Sequence, residues 1–132
     1  MIAKKSLFPA IAYAVLLFVG HTLPAQDIEK FRKANDFSSL AFSDTVLHFL
    51  GFGIFAALLC FGISEGMKTR IPYLKIILAA LGYSVLLEVW QAFLPTRSFR
   101  IKDLISDAIG IIVILSIIRF IKGRPRSLAL EN

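Results

Sequence analysis

The sequence predicts an all-α membrane protein, a four-transmembrane-helix bundle with short connections, and three observations carry that prediction. Hydrophobic residues make up 57% of the chain and the mean hydropathy is +0.74, above the roughly 45–50% apolar usage of soluble domains. These residues gather into four runs, each near the ~20 residues that a helix needs to cross a ~30 Å hydrocarbon core. The basic residues behind the net charge of +6 flank the runs. They form no stripe with interleaved aromatics, so they predict membrane-edge anchoring, with the lipid bilayer as partner and no nucleic acid.

Four spans subtracted from 132 residues leave only short loops and tails, so residues 1–132 read as a single membrane domain. The one cysteine, Cys60, lies inside an apolar run. An internal disulfide is thereby excluded, and Cys60 is expected to act as a small buried apolar residue.

The first span, about residues 7–24, follows Lys4 and Lys5. Its basic start, apolar centre and Thr22-to-Ala25 stretch are also those of a cleavable signal peptide. Pro24 suits a cleavage point badly, and a retained helix leaves an even number of spans, so retention is expected. The second span, about 44–64, starts polar and turns purely apolar after His48; the third covers about 71–94 and the fourth about 101–121. The connections are a polar stretch at 26–43, a short turn at 65–70 and a tight link at 95–100. Short links favour antiparallel neighbours, so spans two to four are expected to form one bundle. With the N-terminus inside, nine Lys and Arg fall on the inner side and six on the outer. That bias predicts both termini in the cytoplasm.

The most informative residues are the polar ones inside the spans, because an ionisable group at depth is costly unless it is paired, hydrated or turned to the bundle interior. They are Asp44, His48, Glu88, Gln91, Asp103 and Asp107. Alternating spans put the starts of spans two and four and the end of span three at the same membrane face. At 1.5 Å per residue, His48 lies about 6 Å in from Asp44, Glu88 about 9 Å in from Leu94, and Asp107 about 9 Å in from Ile101. The depths match, so a single polar layer is expected. Asp44 with His48 and Asp103 with Asp107 are i, i+4 pairs, and Glu88 with Gln91 is i, i+3, so each helix presents a two-residue polar stripe. Continued inward, the stripes become apolar at Phe52 and Phe55, at Val85 and Leu81, and at Gly110 and Ile114.

Above this layer stand Pro95, Arg97, Arg100 and Lys102. Arg97 carries a planar fork for a carboxylate or phosphate, so it is expected either to fold onto Glu88 or an aspartate or to face an anionic ligand. Arg100 and Lys102 divide between that role and plain headgroup anchoring, while Trp90 and Tyr83 read as interfacial anchor and packing residue. The candidate functional layer is thus Asp44, His48, Glu88, Gln91, Arg97, Asp103 and Asp107, with a structural helix-locking network as the competing reading. No metal-ligand spacing and no nucleophile elbow occurs, so no metal and no cofactor are expected.

The stretches DTVLHFLGF at 44–52 and EVWQAFLPTRSFRIKDLISDAIG at 88–110 resemble the VanZ-like family of small bacterial membrane proteins. The matching positions are Asp44, His48, Phe49, Glu88, Gln91, Pro95, Arg97, Asp103 and Gly110. Thr45, Phe52 and Asp107 depart from the family's usual Lys, Tyr and Asn, which makes this layer more acidic. The resemblance implies a multi-pass protein of the bacterial inner membrane and cell envelope, and the family's namesake is linked to low-level resistance to the glycopeptide antibiotic teicoplanin. Three functions compete on these residues. One is binding of an anionic envelope or lipid-linked molecule at the extracytoplasmic face; a second is a membrane enzyme using His48 and Glu88 as acid and base, with or without a metal. The third is proton-coupled transport or a structural partner role. An enzyme is the less favoured class, and the sequence sets no oligomeric state.

Overall fold

The computed structural model describes residues 7–35, 43–64 and 70–123, and every described secondary-structure element is helical. Lys4, Lys5, Lys68, Arg124 and Arg126, used in the charge count, lie outside the described residues. Helix α1 is Phe8–Thr22 and α2 is Ala25–Ala34. They are followed by α3, Asp44–Ile63, α4, Tyr73–Ala92, and α5, Ile101–Gly123.

The ends of these helices follow local chemistry. Pro9 sits in the first turn of α1, where its missing N–H is not needed, and Leu23 turns extended before Pro24, which disfavours a helical residue ahead of it. Ser43 caps α3 by accepting the Val46 N–H at 3.4 Å, and Asp44 adds negative charge to the positive end of that helix.

Helices α3, α4 and α5, of 20, 20 and 23 residues, are long and apolar enough to cross a membrane. The first segment differs from the unbroken span expected at 7–24. Helix α1 has 15 residues, about 22 Å of rise, and the chain then turns by 97° into α2. A fourth span exists only if this bent pair counts as one. Pro24 is the cause, since it cannot continue the ladder begun in α1. Helix α2 is short and charged, with exposed pairs Lys30–Asp27 at 3.8 Å and Lys33–Glu29 at 3.2 Å, which add little stability because water screens them. Its Ile28 is half-buried and Phe31 is 61% exposed. A short amphipathic helix perpendicular to α1 suits the membrane surface.

Helices α3 and α5 make the most extensive contact, α4 packs on both, and α1 leans on α3 and α4. The buried centre holds Phe52, Phe55, Ala56 and Cys60 of α3, Ile76, Ala80 and Leu87 of α4, and Ile111 and Leu115 of α5. Cys60 is buried as expected. The outer surface is apolar instead of charged: Leu78 is 62% exposed while Glu88 is 0% exposed. That inversion is what a bilayer solvent selects, because lipid tails accept Leu and reject carboxylates. One inward continuation is corrected. Val85 is 45% exposed, and Ser84, four residues before Glu88, holds the buried position on that face.

Candidate functional site

The polar residues of three helices converge at one end of the bundle, and a fourth helix joins them. Asp44 and His48 open α3, Asp103 and Asp107 lie in the first two turns of α5, and Glu88 and Gln91 close α4. Glu88, Gln91, Asp103 and Asp107 are all buried. The expected layer is therefore a set of direct contacts.

Two networks share it. In the deeper one, His48 Nδ1 lies 3.0 Å from Asp107 Oδ1, and the Ser84 hydroxyl donates to Asp107 Oδ2. Both oxygens of a buried carboxylate are thus used, by α3 and by α4. In the outer one, Arg100 Nε donates to Asp103 Oδ2 at 2.8 Å and its Nη2 to Asp44 Oδ2 at 3.1 Å, while its backbone N–H donates to Glu88 Oε2 at 3.0 Å. Arg32 Nη1 reaches Asp44 Oδ1 at 3.3 Å. Arg100 therefore ties the starts of α3 and α5 to the end of α4, which headgroup anchoring does not describe. Lys102, two residues on, is exposed.

Arg97 does not fold onto Glu88 or an aspartate. Its Nε and Nη2 both donate to the Leu23 carbonyl, at 3.1 and 3.0 Å, and strap the link before α5 to the end of α1. Its Nη1 has no hydrogen-bond partner among the described residues. Gln91 Nε2 donates to the His21 carbonyl at 3.3 Å, and Trp90 Nε1 to the Thr22 hydroxyl at 3.1 Å. Tyr83 packs on Phe52 and Phe55 and donates its hydroxyl to the Ala14 carbonyl at 2.6 Å. Helix α1 is thus fastened along its length.

His21, Ser84 and Arg32 belong to this site and were not among the residues singled out from the sequence, and Arg100 stood outside the candidate layer. His21 had a usable signal. It lies in the last turn of the first apolar run, which by the same alternation ends at the face where span two begins. Its ring stands edge-on to that of His48, with centroids 5.0 Å apart. Its Nδ1 lies 2.7 Å from the Leu17 carbonyl oxygen, whereas its Nε2 is buried without a hydrogen-bond partner among the described residues.

Two adjoining cavities open onto the layer. One, of about 220 Å³, has apolar walls from Leu16, Leu17, Leu47 and Phe52 and a polar end made by His21, His48, Gln91, Asp44 and Arg97. The other, of about 120 Å³, is lined by Thr96, Ser98 and Arg100 and shares Asp44, Gln91 and Arg97 with the first.

The Asp107 environment makes a testable statement about charge. An asparagine there keeps one oxygen for His48 Nδ1–H, and the Ser84 hydroxyl reverses to accept from its amide. Asp107→Asn is expected to cost no more than about 1 kcal/mol, the difference between a charge-assisted and a neutral hydrogen bond. Unfolding in mixed detergent micelles measures it. A loss near that of Asp107→Ala would mean that the negative charge itself is required.

A family model described as VanZ/LLP1 matches residues 6–122. No curated protein and no solved structure matches the chain.

Proposed function

The chain belongs to the VanZ/LLP1 family, and from that premise and the geometry of its polar layer we propose that it binds an anionic amphiphile of the cell envelope. The ligand is a phospholipid or lipid-linked molecule with an acidic headgroup, taken from the extracytoplasmic leaflet. The observation that carries the reading is Arg97, which borders both cavities with one guanidinium nitrogen unspent. An apolar-walled cleft that ends in a few convergent polar groups is the usual form of a small-molecule site. Here Leu16 and Leu47 at its wall are 63% and 44% exposed, so the cleft opens to lipid between α1 and α3. An acyl chain enters along that seam, and the headgroup meets Arg97 beside Thr96 and Ser98. The fork geometry of arginine suits a phosphate or carboxylate.

Native mass spectrometry of the protein released from mild detergent tests this directly. Arg97→Glu is expected to lower retention of anionic lipid at least tenfold, and Arg97→Lys to keep part of it, with elution volume unchanged in both. Wild-type retention in the Arg97→Glu variant ends the proposal. The link to glycopeptide resistance belongs to the same reading. A strain lacking the gene, challenged with cell-wall antibiotics and complemented with wild type or Arg97→Glu, connects the cleft to that phenotype.

A further inference from the structure

At the back of the larger cavity, His21 of α1, His48 of α3 and Glu88 of α4 point ligand atoms at one another. One donor atom from each lies within 4.8 Å of the other two. What each side chain does with its remaining atom decides what the cluster can hold. His21 Nδ1 is 2.7 Å from the Leu17 carbonyl oxygen, which only accepts, so the ring proton is assigned to Nδ1 and Nε2 carries a lone pair. That Nε2 is buried and has no hydrogen-bond partner among the described residues. His48 Nδ1 faces Asp107, whose other oxygen is held by Ser84. Its Nε2 is thereby turned the other way and stands 3.6 Å from Asp103 Oδ2. Glu88 is 0% exposed; its Oε2 accepts the Arg100 N–H, and its Oε1 is buried with no hydrogen-bond partner among the described residues.

With the His48 ring neutral and its proton on Nδ1, three acceptors converge where the described residues supply no donor. Water has two protons and cannot satisfy all three. A metal ion does so at once, and the outer hydrogen bonds are those that orient metal-binding histidines elsewhere: one ring N–H to a backbone carbonyl, the other to a carboxylate. We propose that His21 Nε2, His48 Nε2 and Glu88 Oε1 bind a divalent transition-metal ion, zinc in the first instance. Two imidazoles and one carboxylate suit zinc, which commonly leaves its fourth position to water or a ligand. That position faces the cavity that His21 and His48 line. Donors at about 2.1 Å from a tetrahedral ion stand about 3.4 Å apart, so each donor atom closes in by about 1 Å. The site draws on atoms that the amphiphile proposal does not use, and it stands whether or not that cleft holds lipid.

The test is zinc binding by the full chain in detergent after chelator treatment, followed by calorimetry with zinc chloride alone. One zinc per chain with micromolar or tighter affinity is expected. His21→Ala and Glu88→Gln should each weaken binding at least a hundredfold, and Ser84→Ala, which loosens only the Asp107 support, about tenfold. Cys60→Ala should leave binding unchanged, because the thiol lies in the apolar centre. Helicity and elution volume select the variants that fold. Should His21→Ala and Glu88→Gln both fail to fold, cobalt(II) added to the wild type decides: visible bands of a four- or five-coordinate site with nitrogen and oxygen donors are expected. Absence of those bands, less than a tenth of an equivalent of zinc at micromolar free metal, or full affinity in a folded His21→Ala protein overturns the proposal. Lipid retention is scored on the same preparations. Zinc without lipid supports this site and counts against the amphiphile, whereas lipid without zinc overturns this site alone.

Discussion

Gly110→Ala is expected to lower stability by about 3 kcal/mol or more, the largest effect of an added methyl group at any of the described glycines. A Cβ at position 110 would stand 2.9 Å from the Phe49 carbonyl carbon and 3.1 Å from its Cα, and closer still to the carbonyl oxygen. All of these are helix backbone atoms. A side chain in the way swings aside, but a helix backbone can only move as a body, so α5 must part from α3. Overpacking typically costs about 1–3 kcal/mol where side chains can adjust, and here they cannot. The separation also draws Asp107 from His48, since these two cross the same interface one turn away. Two other glycines supply the comparison. At Gly53 the nearest atom is Ile114 Cγ1 at 2.9 Å, a side-chain atom, and the nearest backbone atom is the Gly110 carbonyl oxygen at 3.3 Å, so alanine there should cost less than at Gly110. At Gly82 a Cβ meets nothing within 4 Å, and alanine should gain about 0.5–1 kcal/mol from helix propensity. Reversible unfolding in mixed micelles ranks the three. A Gly110→Ala protein as stable as Gly82→Ala would show that α3 and α5 do not approach as closely as described.

Arg100→Ala is expected to cost about 2–3 kcal/mol. Removing one partner of a fully buried ion pair costs about 3–5 kcal/mol, because the other charge is left without compensation. Asp103, at 2% side-chain exposure, is in that position, but Arg100 is 45% exposed, so the loss is reduced. Asp44 keeps Arg32 and should contribute little of it. The backbone N–H to Glu88 survives the substitution, which separates the side-chain effect from the turn itself. Arg100→Lys should recover less than half, since a single ammonium cannot serve Asp103 and Asp44 along two directions of a planar fork. Unfolding in mixed micelles again supplies the measurement. Equal stability of Arg100→Ala and Lys102→Ala would return Arg100 to the role of a headgroup anchor.

The contrast between Arg97 and Arg100 shows where reading the sequence stops. Both lie in the same link, three residues apart, and both present a fork above the same carboxylates. From the sequence Arg97 is expected to meet a buried acid or an anionic ligand, and Arg100 to divide between that role and headgroup anchoring; in the structure Arg97 bonds the Leu23 carbonyl and Arg100 bonds Asp44 and Asp103. Which direction a side chain takes from an irregular link depends on where α1 ends, and α1 ends where Pro24 bends it. Nothing in residues 95–100 encodes that. Ser84 and Val85 differ in a similar way. Both are about one turn from Glu88, and only the rotation of α4 against α3 and α5 decides that Ser84 faces Asp107.

Depth along a helix, by contrast, was determined by the sequence alone. A fixed rise of 1.5 Å per residue turns position in the chain into distance from the membrane face. The polar layer of Asp44, His48, Glu88, Gln91, Asp103 and Asp107 therefore followed from counting, as did the three long spans and the buried Cys60. Partner choice belongs to the tertiary structure. Helix rotation and the course of the first segment added His21 to the layer, turned it toward His48 and Glu88, and made Arg100 the brace between helices. The physical reason is that a repeating backbone hydrogen bond sets depth locally, whereas direction around the helix axis is set by packing between segments far apart in the chain.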